Sequence, residues 1–306
     1  MSSRREARAI VDPDASGMRV DRYLAERLEL FPRSQIAHRD VVVRVDGEDV
    51  KPSRRLREGE VVEISYSEPE PAAIVAEPID LDIIFENDDV VVINKPAGMV
   101  VHPAAGNWTG TLAQGLMHHV RDLPDRFGDH ARPGIVHRLD KDTSGVLIAA
   151  KHPAALAHLA AQFKKRSTTK VYLAIVKGRP PRSIGSITSP IARDPRNRKR
   201  FTVSETGKSA RTQYRVLRHF SDYCLMSLEP HTGRTHQLRV HMAAVGCPIV
   251  GDPVYSRPDR RLPGARCALH AFRLTITLPG ESTPRRFTAR LPDDFRDVLK
   301  AVSGLP

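Results

Sequence analysis

The chain has 306 residues, 40% of them apolar, and a formal charge of +12. That length accommodates one large domain and a small one. The charge, with a pI near 9.9, points to a polyanionic partner, nucleic acid ahead of anionic membrane. The opening Met1–Arg8 lacks the apolar core of a secretory signal. No run of eighteen apolar residues is present to span a membrane. Cys224, Cys247 and Cys267 are odd in number and widely spaced, which excludes a disulfide framework and a Cys-x-x-Cys knuckle and fits a reducing cytoplasm.

Residues 1–16 are expected to form a flexible N-terminus. Residues 17–66 read as a small module. Val20, Leu24 and Leu28 lie at helical spacing. Pro32-Arg33-Ser34 interrupts and restarts the chain, with Ser34 as a helix N-cap. Val41–Val43 and Val61–Ile64 read as strands, with a hairpin-like turn at Val45-Asp46-Gly47-Glu48. Two short helices and a few strands with exposed arginines suit RNA binding; a ligand-free accessory domain is the plainer alternative. Residues 67–78 are rich in proline and glutamate and read as a semi-extended linker.

From 79 to 306 the pattern is that of one large domain. Strands are predicted at 83–85, 90–93, 146–149, 172–176, 212–217, 225–228 and 274–278. A helix over 153–166 carries Leu156, Leu159, Ala160 and Phe163 on one face, and its basic last turn suits the helix dipole. A second helix is predicted over 236–245, stopped at Gly246. Strands outnumber helices without βα alternation, so the expected class is α+β with a mainly antiparallel sheet.

The chemistry concentrates in four clusters. His137-Arg138-Leu139-Asp140-Lys141-Asp142-Thr143-Ser144-Gly145 sets a carboxylate beside arginine, just before an apolar run. Arginine favours the ionised carboxylate, which can then serve as nucleophile or base; arginine also suits phosphate and exposed bases. Equally, such pairs stabilise ordinary loops. The other clusters are Asn94-Lys95-Pro96-Ala97-Gly98, Lys170-Val171-Tyr172-Leu173-Ala174, and Thr232-Gly233-Arg234-Thr235-His236-Gln237-Leu238-Arg239-Val240-His241. His137, His236 and His241 lack the His-Glu-x-x-His context of a metal site and read as hydrogen-bonding or phosphate-contacting groups. Asp140-x-Asp142-Thr143 is superficially similar to a phosphotransferase motif, and His-Arg-Leu-Asp to a kinase catalytic loop. The strand context of the first and the companion motifs of the second are missing. Asp142 therefore reads as a turn carboxylate and Thr143-Ser144-Gly145 as the turn. The loop Arg193–Arg200 is strongly basic. Charge runs are usually only solvated, but here contact with an RNA backbone is the favoured reading.

In this order, and with Gly251-Asp252-Pro253-Val254-Tyr255 and Leu269-His270-Ala271, the clusters resemble the pseudouridine synthases of the RluA/RluD type. The resemblance covers the whole large domain, 79–306. The small module resembles, more loosely, the RNA-binding domain shared with ribosomal protein S-four; the glycine usual before its first strand is absent at Val41-Val42. The resemblance implies a central mixed, mainly antiparallel sheet with flanking helices, and isomerisation of uridine to pseudouridine in RNA without cofactor or metal. It implies Asp140 as the catalytic aspartate, Tyr172 as the active-site tyrosine and Arg239 as the arginine paired with the aspartate. Arg138 would fill the space of a flipped-out nucleotide, whose extrusion costs a few kcal/mol. Asp140 could attack the anomeric carbon or remove the sugar 2′ proton, and both routes stay open. Tyr172 could stack on the base and help remove the carbon 5 proton. RNA contacts are expected from Arg138, His137, Lys95, Arg234, His236, Arg196, Arg198, Arg200, Arg22, Arg33 and Ser34; Lys95, beside a Pro-Ala-Gly turn, reads equally as a purely structural residue. The expected substrate is large-subunit ribosomal RNA, acted on by a cytoplasmic monomer. The alternatives are the same reaction on transfer RNA and a non-catalytic RNA-binding ribosome-assembly factor.

Overall fold

The computed structural model describes residues 4–28, 30–31, 36, 40–67, 74–104, 107–120, 123, 134–197 and 200–304. The chain divides into two units, Met1–Ala73 and Ile74–Pro306.

The first unit holds β1 (Arg4–Ile10), α1 (Val20–Glu26), β2 (Val42–Val45), β3 (Glu48–Asp49) and β4 (Val61–Ser67). The strands form an antiparallel sheet in the order β1-β4-β2-β3. Alternation along β4 sends Val62, Ile64 and Tyr66 into a core with Val20, Tyr23 and Leu24 of α1. Each such buried apolar side chain stabilises by about 1.5–3 kcal/mol. Residues 4–10, expected within a flexible N-terminus, instead pair along the whole of β4, from Arg4↔Ser67 to Ile10↔Val61. Their sequence is silent because only Ile10 is β-branched; pairing with β4, not propensity, makes the strand. Arg33 and Ser34, with the expected helix restart, lie outside the described residues.

Residues 68–73 of the expected linker also lie outside the described residues. Its last part packs on the large unit. Ile74 is buried with Leu112 and Leu116, and the Glu77 carboxylate accepts from Gly110 N (2.9 Å) and Gln114 Nε2 (2.6 Å).

In the large unit, β5 (Ile83–Glu86) and β6 (Val90–Lys95) precede α2 (Leu112–His119), β7 (Ser144–Ala150) and α3 (Pro153–Lys165). Next come β8 (Thr169–Lys177), β9 (Ile184–Ile187), β10 (Ile191–Arg193), β11 (Phe201–Val203), β12 (Thr212–His219) and β13 (Tyr223–Pro230). The chain closes with α4 (Gln237–Ala244), β14 (Leu269–Ile276), β15 (Arg285–Thr288) and α5 (Asp293–Ser303). The main sheet has nine strands in the order β5-β6-β7-β14-β8-β13-β12-β9, with β15 on β14. Among the described residues only β7 and β14 pair in parallel; the fold is α+β with a mixed, mainly antiparallel sheet. No helix among the described residues is long and apolar enough to cross a membrane.

Both faces of β6 and β7 are covered, which is why every residue of β7 is buried. Val91, Ile93, Leu147 and Ala149 meet Leu112 and Leu116 of α2. Val90, Val92, Val146 and Ile148 meet Ala155 and Leu159 of α3. Two-residue periodicity divides one apolar run between two layers. Where β7 meets β14, Gly145 has φ 118°, and a Cβ there would lie 2.2 Å from Ala271 O. Ser144 and Gly145 thus belong to the strand, not to the expected turn; the turn closes earlier, through Thr143 N donating to Asp140 O (3.1 Å).

Candidate active site

A cleft of about 430 Å³ collects residues from three of the four sequence clusters: Arg138 and Asp140, Lys170 and Tyr172, and Arg234, His236 and Arg239. The sheet explains the meeting. Asp140 sits in the loop that enters β7. Tyr172 lies on β8, opposite Ala271 of β14 on one side and Leu228 of β13 on the other. Because β14 separates β7 from β8, the loop and the tyrosine reach the cleft from either side of its first residue, Leu269, which also lines it.

Arg239 projects from the first turn of α4. Its Nε and Nη2 donate to the two carboxylate oxygens of Asp252, each at 2.7 Å. Its Nη1 reaches Asp140 Oδ2 at 3.4 Å. Asp252 Oδ1 also accepts from Val254 N (2.9 Å) and Tyr255 N (3.1 Å). Burial works against the Arg239 cation, but the hydrogen bonds and charge of Asp252 overcome it, so the guanidinium stays charged well above the usual arginine range. Its plane lies over the Tyr255 ring, 5.1 Å from the centroid.

A second brace holds the α4 end of the cleft. Thr232 Oγ1 donates to Gln237 Oε1 (2.6 Å), and Gln237 Nε2 donates to Arg211 O and Thr212 Oγ1, both at 3.0 Å. His236, the N-cap of α4, adopts φ 56°, in the left-handed region. Tyr255 Oη accepts from Phe201 N at 2.9 Å and shares a hydrogen bond with His236 Nδ1, also at 2.9 Å. This pins the His236 ring, and burial lowers its pKa.

Tyr172 is half-buried in the cleft wall. Burial, then the charge of Asp140, raises its pKa well above the usual tyrosine range. The side chain is held as a neutral phenol, suited to stacking and to donating a hydrogen bond. That argues against removal of the carbon 5 proton by a phenolate.

Two expected RNA contacts have other duties. Lys95 is fully buried, and its ammonium donates to Pro96 O (2.7 Å), Met99 O (2.8 Å) and Lys141 O (3.1 Å). Three carbonyls use all three of its protons, so it ties β6 to the Asp140 loop rather than touching solvent. Burial lowers its pKa to about 8. His137 accepts from Ile148 N (3.1 Å) and stacks on Phe163, with centroids 4.7 Å apart. Burial, then Lys170, lowers its pKa to about 3, so it is neutral and no phosphate-binding cation.

The remaining expectations divide. Arg138 is exposed at the cleft with no hydrogen-bond or ionic partner among the described residues. Arg234 lines the cleft and donates from Nε to Ser209 O (3.0 Å). Arg196 and Arg200 lie outside it, on the connection between β10 and β11; Arg198 lies outside the described residues. Arg22, on the small unit, is exposed and paired with Glu26 at 2.8 Å. His241 is buried, between Thr212 Oγ1 and Ser189 O, each at 2.9 Å. No metal-binding group of three or more His, Cys, Asp or Glu occurs among the described residues. Sequence reasoning missed the clamp by Asp252 and the relay through Tyr255; the run Gly251–Tyr255 was visible, but nothing local links it to residues twelve and more positions earlier.

Comparison with known proteins agrees with this architecture. Residues 89–244 match the family model described as RNA pseudouridylate synthase. The chain belongs to this family. It is 42% identical over 284 residues to the uncharacterized RNA pseudouridine synthase YlyB of Bacillus subtilis, covering 92% of this chain and 93% of the relative. It is 43% identical over 288 residues to ribosomal large subunit pseudouridine synthase D of Borreliella burgdorferi, covering 92% and 88%. Among solved structures, human RNA pseudouridylate synthase domain containing 4 superposes with a TM-score of 0.56 at 28% identity, covering 72% of this chain and 92% of that one. The protein is an RNA pseudouridine synthase, and its chemistry must be carried by residues of its own.

Proposed function

We propose that this enzyme isomerises uridines of large-subunit ribosomal RNA at the Asp140 cleft, with Asp140 as the catalytic carboxylate. The observation that carries the reading is the arrangement Asp140–Arg239–Asp252. A buried guanidinium is fixed in both directions by one carboxylate and points its remaining nitrogen at the other, which faces the cleft. Asp252 is fully buried and Asp140 is a quarter exposed, so Asp140 is the carboxylate open to substrate.

During the reaction the bond from uracil nitrogen 1 to the sugar breaks, the base turns, and carbon 5 bonds to the anomeric carbon while its proton leaves. Asp140 can serve either by attacking the anomeric carbon or by taking the 2′ proton, and both routes use its carboxylate. Tyr172 offers a ring face against which the uracil can stack. Target bases inside folded RNA must be flipped out, and exposed Arg138 is placed to occupy the gap. The ribosomal assignment rests on relatives from Borreliella burgdorferi and Nitrosomonas europaea that bear the name ribosomal large subunit pseudouridine synthase D, and on the charge of +12. The small unit, whose sheet carries a groove with Arg4, Arg8 and Arg44, serves in this reading as an accessory RNA-binding module.

The test is tritium release from large-subunit transcripts labelled at carbon 5 of uracil. Release from these transcripts supports the reading. Release from transfer RNA alone would change the substrate, and tight binding without release from either would replace catalysis by a binding role.

A further inference from the structure

A second cavity, of about 320 Å³, adjoins the cleft and shares Arg166, Lys170, Pro230, His231 and Thr232 with its wall. Arg211 and Glu229 complete its charged lining. Three basic side chains, Arg166, Lys170 and Arg211, face one carboxylate. Among the described residues, the side chains of Arg166, Lys170 and Arg211 form no hydrogen bond or ion pair. Lys170 is half-buried, and a cation withdrawn from water without a counter-charge is unfavourable. His231 Nε2 is fully buried and likewise has no hydrogen-bond partner among the described residues. Buried polar atoms are normally satisfied. Arg166 caps α3 at φ 58°, a left-handed position where glycine is usual; its side chain lines both cavities.

We propose that this cavity binds one backbone phosphate of the RNA strand beside the target nucleotide, with Arg166, Lys170, Arg211 and His231 donating to its oxygens. The proposal rests on the reading of the Asp140 cleft as the site of the flipped uridine. A phosphodiester brings one negative charge and several acceptors, which supplies the missing partners together. Arginine forks match its geometry. The shared wall joins base pocket to phosphate pocket, so the strand can enter both at once. A phosphate held here fixes the register of the strand without reading its sequence. It also places a fixed anchor next to the scissile glycosidic bond, where small errors of position cost rate.

The experiment uses the full-length enzyme and large-subunit transcripts, and measures both the salt dependence of RNA binding and the tritium-release kinetics. The variants are Arg211→Ala, Lys170→Ala and Lys170→Arg. Arg218→Ala, an exposed arginine outside both cavities, controls for general loss of charge. Losing a charged contact to phosphate should raise KM about tenfold, with a far smaller change in kcat. The slope of log affinity against log salt should fall by about 0.7 for a single-stranded contact. Lys170→Arg should recover most of the loss, and Arg218→Ala should match wild type. Wild-type KM and slope in Arg211→Ala, or an equal loss in Arg218→Ala, would overturn the proposal. Arg211 is exposed, so its truncation tests the site even where Lys170→Ala fails to fold. Because the slope is read without turnover, absence of tritium release from wild type would sink the isomerase reading while the slope still decides the subsite.

Discussion

Arg239 gives two hydrogen bonds of 2.7 Å to Asp252 and turns its third nitrogen to Asp140 at 3.4 Å. The short bonds set the long one. Asp252 is itself fixed by the backbone N–H groups of Val254 and Tyr255, so the guanidinium has a single orientation before RNA arrives.

Asp252→Asn should therefore damage catalysis without touching substrate. The amide can accept from only one side of the fork, and Arg239 is freed to rotate. An error of about 1 Å at the reacting centre costs on the order of 100-fold. Single-turnover rates should fall about 10- to 100-fold with RNA affinity kept. Breaking a buried pair also costs about 3–5 kcal/mol, read by denaturant unfolding. A stable, fully active Asp252→Asn enzyme would remove Asp252 from the account.

Tyr172 separates stacking from proton transfer. Loss of one stacked aromatic costs about 1–3 kcal/mol, so Tyr172→Ala should lose roughly 10- to 100-fold in kcat/KM. Tyr172→Phe keeps the ring and should stay within about tenfold of wild type. Equal inactivity of the two variants would assign the chemistry to the hydroxyl.

Lys95 makes a prediction about stability rather than binding. Lys95→Met leaves three carbonyls without donors, at a cost of about 2–4 kcal/mol. The salt dependence of RNA binding should be unchanged, since the ammonium is enclosed. A reduced slope without a loss of stability would restore the RNA-contact role.

Acid should weaken the fold through two histidines, His137, half-buried at the cleft, and His270, fully buried. Burial lowers His137 to about 3 and His270 to about 4, against an ordinary value near 6.5. The unfolded chain therefore binds more protons than the folded one between those values. Stability from each neutral ring is complete above about 6.5 and is lost as pH falls toward the folded value. At pH 5 the loss is about 2 kcal/mol per histidine. Unfolding at pH 7.5 and pH 5 should show His137→Gln losing about 2 kcal/mol less than wild type; equal losses would mean that the ring is charged in the fold.

Much of this was legible along the chain. Periodicity marked α3, the stop at Gly246 marked the end of α4, and alternating or continuous apolar runs marked most of the main sheet. The His137–Gly145, Lys170–Ala174 and Thr232–His241 clusters converge on one cleft. What was not legible depends on pairing and burial. β1 exists because β4 offers it an edge. Lys95, beside a Pro-Ala-Gly turn, reads equally well as an RNA contact or as a structural residue; only the burial of β6 on both faces decides for the structural role, because its end is interior. Helix α2 went unseen although Thr111 and Gln114 form a capping box, because Gly115 and two histidines obscure its apolar face. The link from Asp252 to Arg239 is a tertiary fact that no local pattern encodes.

The most direct test compares wild type with Asp140→Ala on large-subunit transcripts labelled at carbon 5 of uracil, following tritium release and RNA binding on the same samples. The account predicts release by wild type, none by Asp140→Ala, and similar affinity in both. Turnover by a folded Asp140→Ala enzyme would contradict it.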